Sequence, residues 1–280
     1  MHETTDFNGL PALKLNASGG ASAIVTLHGA HIVSWKTNGG DERLYLSECS
    51  SFTPGKPIRG GIPLVFPQFS TFGALPRHGF ARNMPWQLEK VHEHGEFSGA
   101  TLFLTDTPDT RQIWPFAFRA ELTLSISANQ LDVELAVENS GEEPFSFSAA
   151  LHTYLRVEHV ESTQVMGLHG CTYRDQSAGG GKRTEGKEAV NFEDEVDRIY
   201  LSVPQEVMLR EPNRSMNIVS THFPDLVLWN PWVEKCAQIP DMPADGFKRM
   251  VCIEAALVEH PLKLNAGKHW WGRQALVAIR

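Results

Sequence analysis

Between Arg119 and Asn139 apolar and polar positions alternate strictly. Leu122, Leu124 and Ile126 share one parity, and Leu131, Val133, Leu135 and Val137 repeat the pattern after a short Ala-Asn-Gln turn. A period of two on both sides of a turn predicts a half-buried β-hairpin, because successive side chains of a strand point to opposite faces. Short apolar-rich runs bounded by Gly, Pro, Asn or Asp predict further strands at Ala23–Leu27, Ile32–Lys36, Thr101–Thr105, Phe145–Leu155, Gln205–Leu209, Leu226–Trp229, Met250–Ala255 and Gln274–Ile279. No amphipathic helix intervenes between them, which favours an all-β sandwich or barrel over βαβ units. All-β units often reach 280 residues as one domain, so a single domain over residues 1–280 is expected.

Two stretches depart from the alternation. Arg174–Ala189, RDQSAGGGKRTEGKEA, is polar and glycine-rich, which predicts a flexible surface loop, either a solvated connection or a lid. The following NFEDEVDRIY reads as weakly helical and places Asp197 and Arg198 at the end of that excursion.

Composition narrows the function. A net charge of −8 without any Lys/Arg-rich block argues against nucleic-acid binding, yet two or three converging cations would suffice to hold a small anion. The four cysteines stand far apart with no C-x-x-C pair, as free structural thiols in a reducing compartment do. No basic segment leads into an apolar one at the start, and no apolar run is long enough to span a bilayer. A cytoplasmic protein with no membrane partner is expected.

Three segments carry candidate chemistry. Ile58–Trp86 concentrates Arg59, Arg77, Arg82 and His78 among Gly and Pro breaks, so it is irregular backbone that reads either as a site or as a long structural loop. His152 lies in an apolar strand-like run, where a lone histidine reads as a hydrogen-bonded core residue unless a partner is found. Glu254 supplies one: flanked by Val251, Cys252, Ile253, Ala255, Ala256 and Leu257, its carboxylate must be paired, neutral or employed. Burial would raise its pKa toward the range of a general base. His28 with His31 and His92 with His94 offer two metal ligands each, but nothing at suitable spacing completes a site, so no metal is expected. No nucleophile elbow, phosphate loop or dinucleotide fingerprint occurs either.

Taken together, IRGGIPLVFPQF with LPRHGFAR, LHTYL, VCIEAA, DRIY and LWNPW resemble the glucose-6-phosphate 1-epimerase branch of the aldose 1-epimerase family, in order, from about Gly29 to the C-terminus. The resemblance implies a galactose-mutarotase-like β-supersandwich of antiparallel sheets with its site on the concave face of one sheet. It implies an isomerase that exchanges α and β anomers of a hexose 6-phosphate by acid/base ring opening and reclosure, without cofactor, most simply as a monomer. It assigns Glu254 as base at the anomeric hydroxyl, His152 as acid at the ring oxygen, and His78 as a second histidine near that oxygen. Arg59 and Arg82 match the phosphate-binding positions, with the Gly60–Gly61 pair offering backbone N–H groups; the lesser alternative is that both arginines make surface salt bridges. Asp197 and Gln68 are expected at the sugar hydroxyls, and Trp229 either stacks on the sugar or belongs to the core. The competing readings are a mutarotase of unphosphorylated aldoses, which would need Arg59 and Arg82 turned away, and a non-catalytic carbohydrate-binding protein.

Overall fold

The Arg119–Asn139 alternation builds the hairpin it predicts. Strands Arg119–Ser127 and Gln130–Glu138 pair antiparallel, with Leu122 opposite Leu135 and Leu124 opposite Val133. In the computed structural model, which describes residues 2–279, this hairpin belongs to a nine-stranded sheet. His269–Ile279 joins it on one side and Phe97–Thr105 with Gln87–His94 on the other. An eight-stranded sheet contains, in order, Gly181–Thr184, Thr172–Asp175, Val196–Leu201, Asp225–Asn230, Met250–Leu264, Phe145–Leu151 and Leu64–Val65, with Tyr154–Arg156 also paired to Met250–Leu264. His2–Phe7, Leu10–Asn16, Ser22–Thr26 and Ile32–Lys36 form a separate four-stranded meander. All the strand pairings among these elements are antiparallel, and the all-β sandwich expected from the sequence is what the chain forms.

The period of two also sorts the eight-stranded sheet into two faces. Leu226 and Leu228, paired with Ala255 and Ile253, join Leu122, Leu124, Leu131 and Leu276 in the main core. The opposite parity carries Asp197, Ile199, Val227, Trp229, Cys252, Glu254 and Ala256, whose register partners run straight across the sheet. On this second face Val65, Phe69, Ala150, Ile199, Val227, Ala256 and Val258 make a smaller apolar cluster. The irregular segment from Leu64 to Arg82 supplies Val65 and Phe69 to it, so the segment is fastened over the same face that carries Asp197 and Glu254.

Three expectations are corrected. Arg174–Ala189 is not a flexible loop: Thr172–Asp175 and Gly181–Thr184 form an edge hairpin. Charge pairing fastens it alongside the buried Tyr173, through Arg174 Nε and Nη2 at 2.7 and 2.9 Å from the Glu259 carboxylate and Lys182 Nζ at 3.1 Å. Gly179 and Gly180 take the left-handed conformation that the tight turn requires. The NFEDEVDRIY segment is not helical; Val196–Leu201 is a central strand, and pairing on both edges overrides weak helical propensity. The run Phe145–Leu155 is not one strand but is interrupted at His152 and Thr153. Among the described residues no helix is long and apolar enough to cross a membrane.

Candidate active site

Seven of the eight residues singled out from the sequence line one cleft of about 230 Å³: Arg59, His78, Arg82, His152, Asp197, Trp229 and Glu254. Its floor is the second face of the eight-stranded sheet. Glu254 stands opposite Val227 there, and Asp197 opposite Trp229.

His152 reaches the floor because the strand breaks at that point. Leu151 pairs with Ala255 and Tyr154 with Cys252, but between them the His152 N–H donates to the Pro63 carbonyl at 3.0 Å. The next side chain, Thr153, turns into the core and donates to Gln274 Oε1 of the nine-stranded sheet. His152 is thereby presented to the cleft, its Nδ1 3.2 Å from Glu254 Oε1. No hydrogen bond joins the two groups, and both His152 Nδ1 and Glu254 Oε2 are buried without a partner. Burial drives both toward their neutral forms. It pushes Glu254 well above the usual carboxylate range, helped by Asp197, and His152 well below the usual histidine range, helped by His78 and the Arg82 and Arg59 charges.

His78 is held by the Phe66–Arg82 segment in a left-handed backbone conformation, φ 65°. Its N–H donates to Ser70 O at 2.9 Å, while Ser70 N–H donates back to His78 Nδ1 at 3.3 Å. Accepting at Nδ1 assigns the neutral tautomer with hydrogen on Nε2. Burial and then Arg82, Arg77 and Arg59 lower its pKa to about 3, so His78 is a neutral donor across the physiological range. Gly79 permits the turn: a Cβ there would collide with the Phe66 carbonyl.

The two arginines are not equivalent. Arg59 donates from Nε to Asp241 at 3.1 Å and from Nη1 to the Tyr154 hydroxyl at 3.0 Å, and these neighbours, Tyr154 foremost, hold its pKa above the usual value. Arg82 donates from Nη2 to the Arg77 carbonyl at 3.0 Å, its buried Nε has no partner, and no carboxylate of the described residues forms a salt bridge with it. Burial, with Arg59 and Arg77 nearby, lowers its pKa to about 10. The side chain is a desolvated cation without a counter-ion. Both arginines line the cleft: Arg59 pairs with the part-buried Asp241, and Arg82 forms no salt bridge among the described residues.

Two details differ from the sequence expectation. Gln68 does not face the cleft; its amide is consumed in donating to the Ser70 and Leu75 carbonyls and accepting from Leu75 N–H, which braces the loop beneath His78. Nor does the Gly60–Gly61 pair offer both N–H groups to an anion. Gly61 N–H donates to Tyr45 O at 2.7 Å, and a Cβ at either glycine would strike the neighbouring backbone, so the pair serves close packing. Trp229 is half-buried and lines the cleft, its ring nearly perpendicular to those of His152 and Tyr154, rather than lying wholly in the core. Asp197 lies 3.8 Å from Lys235 Nζ; burial raises its pKa, against the pull of that ammonium.

Among the further lining residues, Arg77 lies in the segment expected to carry chemistry, while Tyr154, Gln176 and Lys235 have no role expected from the sequence. Tyr154 and Arg77 sit within motifs already quoted, two residues after His152 and one before His78, so their proximity was visible. Gln176 belongs to the hairpin read as a loop, and Lys235 to the short helix Trp232–Cys236. His28 and His31 each contact a backbone carbonyl, of Lys56 and Gly60. Cys252 lies within 4.8 Å of ligand atoms of His152 and Glu254, and burial pushes its thiol well above the usual range.

The sequence model of the family "Aldose 1-epimerase" matches residues 11–276. A protein of Cenchrus ciliaris named "Putative glucose-6-phosphate 1-epimerase" is 34% identical over 97% of this chain and 86% of its own length. A protein of the same name from Escherichia coli is 35% identical over 88% of this chain and 83% of its own. The crystal structure of a "putative mutarotase" from Salmonella typhimurium superposes with a TM-score of 0.92 at 28% identity, covering 100% of this chain and 94% of that one.

Proposed function

The chain belongs to the aldose 1-epimerase family, and from that premise we propose that it interconverts the α and β anomers of a hexose 6-phosphate, glucose 6-phosphate foremost. The observation that carries this reading is the buried Glu254–His152 pair facing a cleft that also holds Arg82 without a counter-ion. An anion completes the charge balance there, and a guanidinium fork suits phosphate oxygens.

Ring opening moves one proton from the anomeric hydroxyl to Glu254 and another from His152 to the ring oxygen. The pair therefore carries one proton throughout, and the sites interact closely enough to titrate as a unit. The step begins from the charged form of this one-proton pair, carboxylate and imidazolium, which forms from the neutral form that burial favours by proton transfer from Glu254 to His152 across their 3.2 Å separation, and it ends as carboxylic acid and neutral imidazole. The final, neutral arrangement is the one that burial favours, so the site stabilises the open-chain aldehyde against the charged pair that formed it. The His78 Nε2–H donor can polarise the ring oxygen without changing its own charge. After rotation about C1–C2 the transfers run backward onto the other face of the aldehyde. Proton transfer suffices for every step. The four cysteines are free, which suits a cytoplasmic setting.

Magnetisation exchange between the anomeric protons of glucose 6-phosphate is the direct test. The protein is expected to accelerate it, and to act far less on free glucose or galactose. Acceleration of the free sugars alone would replace this reading with a mutarotase of unphosphorylated aldoses, and no acceleration of any would leave a binding protein.

The pH dependence has a defined sign. His152 is lowered, so the pair gains a second proton only below the ordinary histidine range; Glu254 is raised, so its last proton leaves above the ordinary carboxylate range. kcat is expected to be level through neutrality, with its acid limb below the reference histidine value of about 6.5. An acid limb in kcat at or above that value would contradict a buried, one-proton pair. kcat is the quantity to follow, since kcat/KM also senses the second ionisation of the substrate phosphate near pH 6.

A further inference from the structure

Tyr154 touches both halves of the proposed machinery. It is 1% exposed and its ring stacks on His152 with centroids 4.8 Å apart and planes 8° from parallel. Trp229 stands nearly perpendicular to both rings, with centroids at 6.1 and 6.0 Å. Because His152 Nδ1 has no hydrogen-bond partner, the orientation of the imidazole rests on this packing and on the edge of His78 at 5.7 Å. At its other end the Tyr154 hydroxyl accepts from Arg59 Nη1, and Asp241 accepts from Arg59 Nε. Two of the five guanidinium donors are thus fixed, and Nη2 with the second Nη1 hydrogen remains for an anion. The Tyr154 backbone is anchored as well, its N–H donating to Gly61 O and its carbonyl accepting from Tyr45 N–H, so the phenol is a rigid strut.

We propose that Tyr154 is a positioning residue with two separable roles: its ring holds the plane of the His152 acid, and its hydroxyl holds Arg59 in the orientation that receives the substrate phosphate. This rests on the functions assigned above to His152 and Arg59. The two roles divide between ring and oxygen, so two substitutions separate them. Tyr154→Phe keeps the stack and frees Arg59. Tyr154→Leu removes both.

Kinetics on glucose 6-phosphate and on free glucose read the split. Tyr154→Phe is expected to raise KM for glucose 6-phosphate about tenfold with kcat within about twofold, as fits loss of one support from a charge-assisted contact. Tyr154→Leu is expected to lower kcat at least about tenfold on both sugars, because small displacements of an acid group cost much rate, and to move the acid limb of kcat upward as His152 becomes less enclosed. Phenylalanine therefore rescues kcat but not KM, a division that a residue serving only the core would not produce. Equal kcat losses in the two variants, or an unchanged KM in Tyr154→Phe, would overturn the proposal. Calorimetric titration of the wild type and Tyr154→Phe with inorganic phosphate adds a readout that needs neither activity nor the leucine variant. Affinity is expected to fall about tenfold. Equal phosphate affinity would overturn the role of the hydroxyl, whereas a wild type that binds phosphate but exchanges no anomer would count against the proposed reaction instead.

Discussion

Replacement of Glu254 by Gln is expected to lower kcat for anomer exchange by about 10³-fold, toward the upper part of the range for positioned acid/base groups. The amide keeps the size of the side chain and its place opposite Val227, yet it cannot take the anomeric proton. Stability should not follow activity. Burial already drives Glu254 toward the neutral acid, and its Oε2 is unpartnered, so a neutral amide of the same shape removes an ionisable group the interior disfavours. An unchanged or higher Tm beside a collapsed kcat is the expected pair of measurements, as where function is sustained at the expense of stability. A folded Glu254→Gln protein with wild-type exchange would remove this residue from the chemistry. His152→Ala should cause a comparable loss, but it also opens space beside Tyr154 and is the less clean experiment.

The visibility of these residues in the sequence follows from their surroundings. Glu254 stood out because a charge within VCIEAA contradicts its neighbours, and the contradiction survives in the structure as a buried, unpaired carboxylate oxygen. The Arg119–Asn139 hairpin was legible because one face is buried, so alternation is enforced at every position. Val196–Leu201 and the Thr172–Thr184 hairpin were not, since what makes them strands is pairing with segments distant in sequence and a cluster of charges on Glu259. The first hairpin had a local signal that went unused: Asn8-Gly9, both with positive φ, is a favoured two-residue turn between His2–Phe7 and Leu10–Asn16. Gln68 was misplaced for the opposite reason. Its position beside catalytic motifs suggested a ligand contact, but an amide can equally stitch a loop to itself, and only coordinates separate the two uses.

The arginines give the second large expected effect, and the structure makes it unequal between them. Arg59 already has Asp241 and Tyr154 as partners, so a phosphate adds to contacts that exist without it. Arg82 has one carbonyl, an orphaned buried Nε and a pKa lowered to about 10, the state of a charge removed from water and left unpaid. A phosphate dianion would satisfy it, and hydrogen bonds to charged groups contribute about 1.5–3 kcal/mol each. Arg82→Gln is therefore expected to lower kcat/KM for glucose 6-phosphate about 10²-fold, mainly through KM, because the phosphate is bound alike in ring and open-chain forms. Exchange of free glucose should be unaffected or slightly faster, since the lost charge is one of those that hold the His152 imidazolium down. Thermal stability should be maintained or raised once a desolvated, unpaired cation is gone. A loss of equal size on phosphorylated and free sugars would instead make Arg82 a support for His78 and His152, and would break the link drawn here between its missing counter-ion and the phosphate.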